Sequence, residues 1–125
     1  MTREALNYMR SFLESIGLKY DFKEWNDSEV PHTYWIGDYV ESENSNEYGL
    51  EEATFMLTGT TDENFLELEK VKEEIKNIVS NEGKTDILPS RAGIAMIYIG
   101  AQPLPSVEYG THRLQIDLKI KEWRC

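Results

Sequence analysis

The sequence predicts an α+β fold: a mostly antiparallel sheet with two helices packed on one face, in the order α-β-β-β-α-β-β. Three observations carry this. Apolar residues recur at three and four between Thr2 and Ile16, HRLQIDLKIKEW alternates strictly near the C-terminus, and a second helical pattern stands between two groups of strands.

In the first helix Ala5, Leu6, Met9, Phe12, Leu13 and Ile16 share one face, with Thr2 placed to cap it and Gly17 to end it. LKYDFKEW then alternates Leu18, Tyr20 and Phe22 with Lys19, Asp21 and Lys23, the period of a half-buried strand. NDSEVP is turn chemistry. A second strand is expected from His32 to Val40 and a third from Glu51 to Thr60, joined by the polar run ESENSNEYGLEE. Thr60, Thr61 and Asp62 offer caps, with Glu63 at capping-box spacing from Thr60, so the second helix is expected over Glu63 to Asn81. NEGKTDILPSRAG reads as a loop and Ile94 to Ile99 as a central strand. GAQPLPS, with Pro103 and Pro105, reads as a loop or an extended edge. In the last strand Leu114, Ile116, Leu118 and Ile120 take one side, and Arg113, Gln115, Asp117, Lys119 and Lys121 the other.

The chain's 125 residues suit one domain, residues 1–125, with an ordinary core. Thirteen basic against 23 acidic residues leave a net charge of -10, which disfavours nucleic-acid binding because no basic cluster exceeds Lys119, Lys121 and Arg124. One cysteine, Cys125, cannot form an internal bridge and points to a reducing compartment or an environment where disulfides are not used. MTREALNYMRSFLESIG is interrupted by charge, unlike a signal peptide or a membrane span, so an intracellular protein is expected.

No catalytic, cofactor or metal motif emerges. Reading Glu41 as position one of a calcium loop puts Asn46 where glycine is required, and the flanks are strands, so a solvated hairpin tip fits better. Cys125 is terminal and hard to fix beside a base. His32 and His112 read as ordinary edge residues. Glutamates of the second helix lie three or four from lysines (Glu69 and Lys72, Lys70 and Glu74, Glu73 and Lys76), as on a solvated face. Tyr39, Tyr48 and Leu50 stand apart in a polar connection, where they either offer a binding surface or fold back on the sheet edge.

YWIGDYVE followed by an acidic turn, EEATFMLTGTT, LELEKVKEEIK, GAQPLPS and HRLQIDLKIKEW together resemble the tail terminator, or tail-completion, proteins of Gram-positive phages and prophages. The likeness runs over nearly the whole chain in element order, and none of its motifs is catalytic. It implies a non-enzymatic subunit without cofactors, assembled in the bacterial cytoplasm into the virion tail. There it would form a homo-oligomeric ring, usually of six copies, that caps the tail tube, ends its polymerisation and meets the head-completion protein. The family is held together by fold more than by signature residues, so interface residues are assigned from the two extended loops: Tyr39, Glu41, Glu43, Tyr48, Leu50, Gln102 and Leu104. A negative lumen would not retain passing DNA phosphates.

Two other readings compete. One is a small cytosolic ligand-binding domain or enzyme with a pocket between sheet and helices, lined by Trp25, Trp35 and the histidines. The other is an adaptor that adds a strand to an unpaired sheet edge near Pro103 and Pro105.

Overall fold

Thr2 opens the first helix as its spacing foretold. In the computed structural model, which describes residues 1–41, 49–79 and 83–124, its hydroxyl accepts the Ala5 amide at 3.2 Å. Helix α1 (Arg3–Ser15) buries Ala5, Met9, Phe12 and Leu13. It stops where Gly17 turns to φ 88°, which lets the Gly17 amide reach Glu14 O and the Leu18 amide reach Leu13 O, at 3.0 and 3.1 Å. That pair of bonds satisfies carbonyls the helix end would otherwise strand.

The sheet has six strands in the order β1-β2-β3-β6-β5-β4. They are β1 (Tyr20–Phe22), β2 (Thr33–Glu41), β3 (Leu50–Thr61), β4 (Lys84–Ile87), β5 (Gly93–Leu104) and β6 (His112–Trp123). The second helix, α2 (Leu66–Val79), lies in sequence between β3 and β4. The α+β class stands, but the sheet is mixed where a mostly antiparallel one was expected: β1 runs parallel to β2, with Tyr20 opposite Trp35. The cause is the connection from Lys23 to His32, which returns along the strand instead of turning tightly. Its path is held by internal bonds: Trp25 Nε1 donates to Glu29 O at 2.9 Å, and the Asp21 carboxylate accepts the Asn26 amide at 3.2 Å.

β4 is a second departure, because KTDI was read as loop. It pairs antiparallel with Gly93–Met96 through a turn in which Leu88 N donates to Ala92 O and Arg91 N to Leu88 O, both at 2.8 Å. Thr85, Asp86 and Ile87 are all exposed, so the strand carries no buried alternation to betray it. β5 also runs on through Gln102 and Pro103 to Leu104, absorbing residues read as loop or edge. It lies one strand in from the edge, but β4 covers only its first residues.

α2 begins later than the capping-box spacing suggested. Thr61 is still in β3, its hydroxyl taken by Thr33 Oγ1 at 2.8 Å and by the Glu63 amide at 3.1 Å, and Asn64 Oδ1 instead accepts the Leu66 amide at 3.0 Å. Of the expected helix pairs, Lys72 meets Glu69 at 2.5 Å, while Lys76 lies over the Tyr98 ring at 5.1 Å. Residues 80 and 81, the expected end of this helix, fall outside the described residues.

One face of the sheet is apolar and helix-covered. Phe55 and Leu57 of β3 and Leu114, Ile116, Leu118 and Ile120 of β6 form one core with Met9 and Leu13 of α1 and Leu68 and Ile75 of α2. Each fully buried aliphatic side chain contributes about 1.5–3 kcal/mol relative to exposure. The same alternation drives Arg113, Gln115, Asp117, Lys119 and Lys121 to the other face, which no helix among the described residues covers.

Candidate functional site

The described interface residues chosen from sequence lie at two opposite ends of the sheet. Tyr39 and Glu41 sit at the end of β2 and Leu50 at the start of β3. Gln102 and Leu104 pair with Gln115 and Arg113, rungs that continue through Thr58 and Thr60 to Ile36 and Tyr34 at the opposite end of the sheet. Tyr39 is half-buried and stacks on Phe22 with ring centroids 6.0 Å apart, so it folds back on the sheet. Leu50 is half-buried opposite Trp123. Glu41 is exposed and accepts the Met1 amino group at 2.5 Å. Glu43 and Tyr48 lie outside the described residues.

At that first end a cavity of about 130 Å³ is lined by Met1, Glu41, Glu51, Glu52, Ala53 and Glu122. Glu122 takes the alternation's last inward position and is buried. It accepts from Thr2 N and Oγ1 at 3.3 and 3.2 Å and from Arg124 at 2.8 Å. Arg124 also binds Glu4 at 2.9 Å and Thr2 Oγ1 at 2.9 Å. Hydrogen bonds from Ser90 and Arg124 hold the Glu4 carboxyl below its usual range. This network staples the start of α1 to the end of β6, and its donors are used up structurally.

The opposite end holds a different arrangement. The β2–β3 ladder runs to Thr33 opposite Thr61, and one rung further the Asp62 amide donates to His32 O at 3.0 Å. The two side chains therefore meet: His32 Nδ1 lies 3.0 Å from both Asp62 carboxylate oxygens. The Asp62 hydrogen bond raises the His32 pKa above 6.5, with its charge and that of Glu63 adding to the effect. One donor atom each from His32, Asp62 and Glu63 can lie within 4.8 Å of the others.

Two concavities of about 340 Å³ open on either side of His32. One lies between sheet and helices, with Lys19, Trp35, Glu63, Glu67 and Val71 in its walls. It holds Trp35 and His32, as the pocket expected from sequence would, but not Trp25 or His112. Trp25 rests against Tyr34, and His112 stands edge-on to Phe65. Sequence reasoning passed over the His32 cluster because it took Asp62 and Glu63 as helix caps. Extending the β2–β3 register by one rung would have brought His32 opposite Asp62.

A third surface is the outer edge of β5. Gly83 still lies against Met96 O and Ile97, but from Tyr98 to Leu104 no strand among the described residues pairs with that side. A bulge between Tyr98 and Gly100 leaves Ile99 half exposed there, and Pro103 removes one amide. Beside it, the open face carries a trough of about 440 Å³ floored by Ile36, Met56, Thr58 and Gln115 and bordered by Lys23 and Val107.

No family model matches the sequence, and no curated protein matches it significantly. Among the described residues the chain is an α+β protein with one sheet face covered by helices, the other face free of them, and a stretch of β5 that no strand pairs.

Proposed function

We propose that this chain is a non-enzymatic structural subunit of a phage tail, forming a ring that caps the tail tube, ends tube polymerisation and contributes to head–tail joining. The observation that supports it most is the β5 edge from Tyr98 to Leu104, which no strand among the described residues pairs and which adjoins the sheet face without helices. Such an edge offers main-chain donors and acceptors to a neighbour, and alternate side chains such as Gln102 and Leu104 give the contact its selectivity. The far edge is unlike it: β1 is short, and Arg10 of α1 reaches its Tyr20 carbonyl at 3.4 Å. Two unlike edges suit a head-to-tail contact, which closes into a ring when the rotation per subunit allows. A net charge of -10 per copy would line the channel of such a ring with a potential that does not trap DNA.

Electron microscopy and native mass spectrometry of the purified protein, alone and with tail-tube protein, test the reading. Ring-sized particles bound at tube ends are expected, with overlong tubes when the gene is deleted from its phage. A strict monomer whose deletion leaves tube length unchanged would overturn it.

The cleft beside His32 favours a second reading, a small ligand-binding domain or enzyme using the space between sheet and helices. Saturable binding of a small organic ligand there by a chain that stays monomeric would select it.

A further inference from the structure

We propose that His32, Asp62 and Glu63 form a binding site for a divalent transition-metal ion of the Zn²⁺ class. The donors are one imidazole and two carboxylates, a set that suits a borderline ion better than Mg²⁺ or Ca²⁺, which take oxygen ligands almost exclusively. Donors bound to one tetrahedral Zn²⁺ at about 2.1 Å lie ~3.4 Å apart. The three donor atoms here lie within 4.8 Å of one another, so binding draws them together. All three side chains are exposed, so small rotamer changes close the gap without disturbing the core.

The backbone beneath the site is already fixed. Thr33 and Thr61 are hydrogen-bonded across the last ladder rung, the Asp62 amide is tied to His32 O, and the Glu63 amide is tied to Thr61 Oγ1. An ion therefore orders three short side chains and no loop. The electrostatics also favour it. With neutral imidazole the triad carries two negative charges, and Glu67 lines the same cleft, against a single lysine, Lys19. Concavities on both sides give an ion access and leave coordination positions for water or for a donor from another molecule.

The alternative occupant of this geometry is a proton on His32, giving a plain His–Asp ion pair. Calorimetric titration of Zn²⁺ distinguishes the two, using the full chain with Cys125→Ser to remove its one thiol. One ion per chain should bind saturably at sub-millimolar concentration, and zinc should shift the His32 imidazole resonances in NMR spectra of the same protein. His32→Ala, Asp62→Asn and Glu63→Gln should each weaken binding by about tenfold or more, whereas His112→Ala should leave it unchanged. Absence of saturable binding, unmoved His32 resonances, or a loss below about tenfold in any of the three variants would overturn the site.

Discussion

The benzenoid ring of Trp35 lies directly over Gly59, its partner across the β2–β3 ladder: a Cβ at position 59 would stand 2.6 Å from the ring. Real Cβ atoms do not come that close, and Trp35 is almost completely buried, so the indole has no solvent to retreat into. Gly59→Ala should therefore destabilise the fold by about 1–3 kcal/mol, the usual cost of overpacking a filled core. Urea denaturation followed by tryptophan fluorescence reads this directly. A midpoint equal to the parent's would mean that β2 and β3 part more easily than the packing implies.

Glu122 supports a prediction of a different kind. It is a buried carboxylate that accepts from Thr2 and from Arg124. Glu122→Gln keeps the shape, removes the charge facing Arg124 and turns an acceptor into a donor beside the guanidinium. A loss of about 1–3 kcal/mol is expected, the cost of leaving buried polar groups unsatisfied. Fraying of α1 should accompany it, visible as faster amide exchange at Ala5 and Leu6. Unchanged exchange there would show that the helix start does not depend on Glu122.

How much of this was legible in the sequence depended on what each element buries. β6 was read almost to its ends because every second residue from Leu114 to Ile120 is buried. α1 was equally plain, with apolar spacing and both caps present. β4 was invisible because its pairing with β5 buries little side-chain surface, so no pattern recorded it. The parallel placement of β1 depends on the path of the Lys23–His32 connection, a tertiary fact with no local signature. The same is true of the candidate sites. Folding back on the sheet was one of two readings open for Tyr39, but nothing local named Phe22 as the ring it stacks on, and His32 joins Asp62 only once the ladder register is known.

Two groups set opposite pH dependences. The His32 pKa is raised by Asp62, so the pair contributes stability fully below the unfolded histidine value of 6.5, and that contribution is lost as pH rises through the higher folded value. The Glu4 carboxyl is lowered by Ser90 and Arg124, so its contribution is present above the unfolded value of 4.5 and lost as pH falls through the lower folded value. NMR titration in metal-free buffer should place the His32 pKa above 6.5, and Asp62→Asn should bring it back toward 6.5. If Asp62→Asn leaves His32 unmoved, another group must set its proton affinity.

The β5 edge that no described strand pairs makes the assembly proposal testable at one residue. Ile99 is half exposed at the bulge, outside the core and unpaired in the β5–β6 register. A lysine on an exposed strand edge opposes strand addition, because docking a neighbour would desolvate its ammonium group. Ile99→Lys should therefore leave the thermal midpoint of the isolated chain nearly unchanged while weakening subunit association by about tenfold or more, roughly 1.4 kcal/mol per contact. Sedimentation velocity over a concentration series measures the second effect and differential scanning calorimetry the first. Oligomers that persist unchanged with lysine at this position would move the contact away from β5, and the trough floored by Ile36 and Met56 would be the next surface to alter.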